Sequence, residues 1–112
     1  MLTADELLTV PPRRVVAVTL PVRGAVVGVR ALTAAEAIAS GEAMKDRKDT
    51  ADGLAIQLAW YLSDPNGNQL LTIEGARTFI ATQDQQDARA ILEAGLALNK
   101  VDDEGIEAAR KN

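Results

Sequence analysis

The chain contains no cysteine and no histidine, and among its 112 residues only Trp60, Tyr61 and Phe79 are aromatic. Without thiols there can be no disulfide, thiolate nucleophile, iron–sulfur cluster or cysteine-based zinc site. Without imidazole the Ser-His-Asp triad is excluded, together with the commonest general base near neutral pH. The two serines, Ser40 and Ser63, stand in no G-x-S-x-G elbow. Gly24, Gly28 and Gly41 form neither G-x-G-x-x-G nor a P-loop, and no Gly-Lys-Ser/Thr occurs. Carboxylates alone can run glycosidase chemistry, but that needs an aromatic-rich sugar cleft, and three aromatics cannot line one. The same scarcity leaves no stacking platform for single-stranded nucleic acid. No catalytic residue, metal-ligand set or cofactor is therefore expected.

Long apolar runs are also missing. The longest apolar-leaning stretch, residues 51–62, includes Asp52 and Gln57 and falls well short of the roughly 20 residues of a membrane span. The acidic start, Met1-Leu2-Thr3-Ala4-Asp5-Glu6, lacks the basic and apolar regions of a secretory signal. A cytoplasmic protein is expected, with no membrane partner.

Charge is modest and uneven. Twelve Lys and Arg face 16 Asp and Glu, a net charge of −4. Residues 1–32 hold Arg13, Arg14, Arg23 and Arg30 against Asp5 and Glu6, leaving +2, whereas residues 33–83 and 84–112 each sum to −3. Four arginines around a hairpin could touch phosphates, yet the acidic whole repels DNA at long range. The plainer role for them is a charged sheet edge that discourages edge-to-edge pairing.

What is present reads as an α+β chain: an N-terminal β-hairpin followed by a small bundle of four to five helices, in one domain spanning residues 1–112. Residues 1–12 form a leader with a short amphipathic piece, Asp5 to Val10, stopped by Pro11-Pro12. Such a terminus is expected to be flexible until something binds it. Within 13–32, Arg14 to Leu20 and Ala25 to Ala31 alternate as two strands around Pro21-Val22-Arg23-Gly24. A two-residue Arg23-Gly24 turn would place Val22 opposite Ala25, Leu20 opposite Val27, Val18 opposite Val29 and Val16 opposite Ala31. Those eight residues then share an apolar face, and Val15, Ala17, Thr19, Pro21, Val26, Gly28 and Arg30 lie on the other. A two-stranded ribbon is marginal alone and must pack on helices or another subunit.

Residues 33–112 read as helical. Thr33-Ala34-Ala35-Glu36 is a capping box opening a helix from Ala34 to about Lys45. A second covers roughly Thr50 to Ser63, with Leu54, Leu58, Tyr61 and Leu62 on a core stripe and Ile56 and Trp60 on another face. Asp64-Pro65-Asn66-Gly67-Asn68 is a turn. It opens like a calcium loop, but Gln69 and Gly75 hold the places where such a loop needs glycine and a bidentate acid. Further helices are expected from Ile73 to Thr82, from Asp84 to Leu98, and from Asp103 to Arg110. Asp102-Asp103-Glu104 caps the last of these better than it could converge on a cation. Trp60 belongs to a residue type enriched at binding hot spots, although in so aromatic-poor a chain a core anchor is the stronger explanation. Val15, Val26, Arg30 and Trp60 are the candidate partner-binding residues.

In layout the chain resembles the tail assembly chaperones of long-tailed, siphovirus-type bacteriophages and prophages. The resemblance is carried by the leader Leu2-Thr3-Ala4-Asp5-Glu6-Leu7-Leu8, a basic-hydrophobic strand before a glycine turn, and Val29-Arg30-Ala31-Leu32-Thr33-Ala34-Ala35-Glu36 opening the first long helix. It continues through Leu58-Ala59-Trp60-Tyr61-Leu62-Ser63-Asp64-Pro65-Asn66-Gly67 and Ala94-Gly95-Leu96-Ala97-Leu98-Asn99. Arg23 and Leu71 stand where relatives often carry aromatics. The resemblance implies a non-enzymatic assembly factor that binds the tape measure protein and recruits tail tube subunits. It also implies action in the host bacterial cytoplasm, absence from the mature virion, and often a longer frameshifted form, with which Lys111-Asn112 is compatible through a slippery A-AAA-AAC codon pair. A thin, alanine-rich core and an unpaired strand edge add the expectation of a reversible homo-oligomer. The alternatives are another phage morphogenesis protein, such as a head–tail connector or tail completion factor, and a small DNA-binding regulator using Arg13, Arg14, Arg23 and Arg30.

Overall fold

The computed structural model describes residues 1–100. Helix α1 (Ala4–Leu8) is capped by the Thr3 side chain, which accepts from the Glu6 amide. Strands β1 (Val15–Thr19) and β2 (Val26–Arg30) form the antiparallel hairpin. Helix α2 (Ala34–Lys45) begins at the expected capping box, with Thr33 and Glu36 exchanging side-chain-to-amide hydrogen bonds. Helix α3 (Thr50–Tyr61) is followed by strand β3 (Leu62–Ser63), helix α4 (Ile73–Thr82) and helix α5 (Gln85–Asn99). The chain is thus α+β, with four helices after the hairpin among the described residues; the helix expected from Asp103 to Arg110 lies outside them.

The hairpin register differs from the one a two-residue turn would set. Val16 pairs with Val29 and Val18 with Val27, a shift of two residues along the partner strand. The loop is four residues, Pro21 to Gly24, closed by the Leu20 amide donating to Ala25 and the Gly24 amide to Leu20. The physical reason is chirality. A tight two-residue hairpin turn needs positive φ at both central residues, which costs an L-residue such as Arg23 roughly 1–2 kcal/mol; here only Gly24 takes it, at φ +78. Because the shift is even, the faces survive: Leu20 and Val29 are buried and Val18 and Val27 are half-buried on the inner side. Val22 leaves that face for the exposed loop.

Helix α3 stops two residues earlier than periodicity suggests. Leu62 turns extended, and Leu62–Ser63 pair with Val29 and Gly28 as a third strand, giving the order β1-β2-β3. Asp64-Pro65 contributes, since the residue before proline resists helical dihedrals. The third strand supplies what a lone ribbon lacks. Gly28 makes the crossing possible: a β-carbon there would approach the carbonyl oxygens of Ser63 and Asp64 at 2.8 Å.

The core lies between the inner sheet face and helices α3 to α5, around Leu58, Ala59, Tyr61, Ala76, Ile91 and Leu92. Helix α3 is covered on several sides, and Ile56 is buried as well, but Leu54, expected on its core stripe, is partly exposed. Helix α5 splints the hairpin. Near its start the buried Asp87 carboxylate accepts from the amides of Val22 (2.8 Å) and Arg23 (3.0 Å) in the hairpin loop. At its end Asn99 accepts from the Leu32 amide (2.8 Å) and donates to the Arg30 and Gly95 carbonyls. The rise between those two side chains, about 18 Å, matches a five-residue strand of about 17 Å.

Candidate functional site

The outer sheet face is set by strand alternation. Val15, Ala17, Thr19, Val26, Gly28 and Arg30 point away from the core helices. One end of this face is covered. The 64–68 turn folds over it, held by the Asp64 carboxylate, which accepts from the amides of Asn66 (2.8 Å) and Asn68 (3.0 Å). Those bonds, the Asn68 amide first, hold the Asp64 carboxyl below its usual range against the opposing effect of burial. The calcium-like opening is thus an ordinary self-satisfied turn, with Gly67 at φ +85.

Beneath that turn lies Arg30, 4% exposed. Its Nε donates to the Trp60 carbonyl at 2.7 Å, one terminal nitrogen donates to the Gly67 carbonyl, and the same nitrogen pairs with Glu36 at 3.4 Å. Burial pulls the Arg30 pKa down, while Glu36 opposes that effect. Glu36 also takes a 2.6 Å hydrogen bond from Arg13. Burial alone would push the Glu36 carboxyl up, but Arg13, the Thr33 amide and the charge of Arg30 together hold it below its ordinary value. Arg30 is therefore a cross-brace joining sheet, turn, α2 and α3. Of the four arginines read as a possible phosphate-binding set, Arg13 and Arg30 are engaged with one carboxylate, and Arg14 and Arg23 form no ion pair among the described residues.

Among the described residues nothing covers the rest of the outer face. Val15, Ala17 and Val26 form the floor, and Pro65 and Leu70 a wall, of an open apolar groove of about 410 Å³, within the range of binding pockets. Val26 is 64% exposed and Leu70 49%. Alongside runs the edge of β1, unpaired among the described residues. The Arg14–Ala31 and Leu20–Ala25 hydrogen bonds fix even-numbered residues as the ones bonded to β2, so the amides and carbonyls of Val15, Ala17 and Thr19 face outward.

A second concavity, about 370 Å³, separates α2 from α3 and is lined by Ala37, Ser40, Gly41, Met44, Gln57 and Trp60 among others. No residue of α2 is buried; the helix is tied at its start by Glu36 to Arg13 and Arg30 and reaches Gly53 of α3 through Met44 near its end. Trp60 is half-buried here, and its indole nitrogen is buried without a hydrogen-bond partner among the described residues. The structure thus brings Val15 and Val26 together in one groove, places Arg30 inside the protein and sets Trp60 in a different cleft. Pro65 and Leu70, which sequence patterning does not single out, complete the groove; their membership depends on where the turn folds, and no local pattern announces it.

No protein-family model and no curated protein matches the chain. Among solved structures, the fold is similar to that of the bacteriophage HK97 tail assembly chaperone, with a TM-score of 0.59 and 16% identity over 87% of this chain and 91% of that one. At that identity the likeness is one of architecture: this chain shares the overall fold of that chaperone structure.

Proposed function

We propose that this protein is a phage tail assembly chaperone. In this reading it is non-enzymatic, acts in the host bacterial cytoplasm, binds the tape measure protein, recruits tail tube subunits during virion morphogenesis, and is left out of the mature particle. The observation that carries the reading is the shared fold over 87% of the chain. The surface is suited to the task. A long coiled protein needs its apolar stripes covered until it is packaged, and helical stripes are recognised by apolar grooves. The described residues offer such grooves on the outer sheet face and between α2 and α3. Weak self-association would let several copies line one long partner, with avidity in place of individual affinity.

The test is co-expression with the tape measure and tail tube proteins of the same phage or prophage genome, followed by affinity pull-down. The expected result is a soluble complex retaining both. If the tape measure protein stays insoluble and neither partner is captured, the reading fails. Position next to a very long tape-measure gene separates it from a connector or completion factor.

A further inference from the structure

The cleft between α2 and α3 is apolar, and the described chain ends at its rim. No charged residue lines it among the described residues. Its α2 wall presents small side chains, Ala37, Ser40 and Gly41 among them, and Trp60 stands on the wall from α3. The Trp60 indole nitrogen is buried with no acceptor among the described residues, which leaves one donor on this wall for a segment outside them to serve.

The next residues of the chain start beside this cleft. Asn99 and Leu32 both line it, and the Leu32 amide donates to the Asn99 side chain at 2.8 Å. Lys100 then takes left-handed dihedrals, with φ +54, which end α5 and turn the chain off the helix axis. Residues 101–112 therefore leave from the edge of the cleft itself.

Their sequence suits the site. At about 100° per residue, the helix expected from Asp103 to Arg110 gathers Gly105, Ile106, Ala108 and Ala109 on one side. Asp103, Glu104, Glu107 and Arg110 fall on the other. Small residues on both surfaces let the backbones approach closely, and Ile106 supplies a bulky apolar side chain. Length agrees too. Such a helix rises about 12 Å, within the roughly 15 Å that separate Ala34 from Met44 along the α2 wall. An apolar helical stripe laid in an apolar groove is a recurring mode of recognition.

We propose that residues 101–112 fold back on their own chain and seat Ile106 and Ala109 in the cleft between α2 and α3. The contact is made within one chain, apart from whatever partner the protein takes, and it fills this cleft before a partner arrives.

The experiment is a nitrogen–proton correlation spectrum of the full chain at low concentration. The chain has one tryptophan and no cysteine, so the Trp60 indole gives a single signal and a nitroxide can be attached at one engineered thiol. Glu107→Cys, on the charged side of the expected helix, carries the nitroxide. The indole signal should be broadened away in this labelled chain and should return when either Ile106→Asp or Gly41→Asp is added. Gly41 lines the cleft, and among the described residues a β-carbon there meets nothing within 4 Å, so its substitution alters the cleft without disturbing the packing. Circular dichroism checks that each variant melts like the labelled parent. An indole signal that stays sharp in the labelled parent, or that is broadened equally in both variants, would overturn the proposal. So would broadening in a mixture that carries nitroxide and isotope on different copies, because the segment would then be seated on a neighbour.

Discussion

The ring of Tyr61 occupies the space that a β-carbon on Gly95 would need. Helices α3 and α5 therefore approach through a glycine, with Leu58, Ile91 and Leu92 closing the core around the contact. Alanine in place of a helical glycine ordinarily gains about 0.5–1 kcal/mol. At this position a buried ring must move, and the overpacking cost of about 1–3 kcal/mol reverses the sign. Gly95→Ala should lower the melting temperature, by roughly 4–8 °C per kcal/mol in a chain of this size. A higher melting temperature in a thermal scan would contradict the packing.

Asp87 ties α5 to the hairpin loop through two backbone amides. Asp87→Ala leaves the Val22 and Arg23 amides without that acceptor, and unsatisfied groups in a part-buried setting cost about 1–3 kcal/mol each. The expected outcome is a loss of roughly 2 kcal/mol or more in urea unfolding, together with faster hydrogen exchange at those two amides. Unchanged exchange there would show that the loop is held by something else.

Acid should weaken the brace at Glu36. Its carboxyl sits below its ordinary value in the folded protein, so the stabilisation is complete above the unfolded-state value near pH 4.3. It is then lost as pH falls through the lower folded value. Asp52, held down first by its hydrogen bond from Arg77, and Asp64 act in the same direction. Glu36→Gln keeps a side chain that can complete the capping box but leaves the buried Arg30 without its counter-charge. It should cost about 1–3 kcal/mol at pH 7 and flatten, without abolishing, the fall in stability between about pH 5 and pH 3. Urea titrations across that window measure both effects, and an unchanged acid slope would rule out the ion pair as the cause.

Trp60 buries an indole N–H that has no acceptor among the described residues. Trp60→Phe removes the orphan donor, whose desolvation costs about 1–3 kcal/mol, at the expense of some packing volume. The two effects oppose each other, so stability should change by less than about 1 kcal/mol. A loss of 3 kcal/mol or more on chemical unfolding would mean the nitrogen has a partner in solution.

Much of the fold was legible because its determinants are local. The Thr33-Ala34-Ala35-Glu36 cap fixes the start of α2, and Asp84 fixes the start of α5. The limits of α4 match the Ile73 to Thr82 expected from the apolar spacing of Ile73, Ala76, Phe79 and Ile80, and the structure adds Thr72 as its cap. The inner and outer faces of the hairpin were also readable, since alternation survives an even shift of register. The candidate groove was half legible: Val15 and Val26 follow from alternation, but Pro65 and Leu70 reach them only through the fold.

By itself the sequence determined the α+β class, the helix starts, which strand face is apolar, and the lack of any thiol or imidazole chemistry. Each of these depends on residue type and spacing within a few positions. The tertiary structure alone decided the four-residue hairpin loop, the third strand, the burial of Arg30 and the exposure of the groove. These rest on contacts between residues far apart in the chain, such as Asp87 with Val22 and Asn99 with Leu32. A partner at that distance leaves no periodic trace in the sequence, because its position is set by how the helices pack and not by the residues on either side.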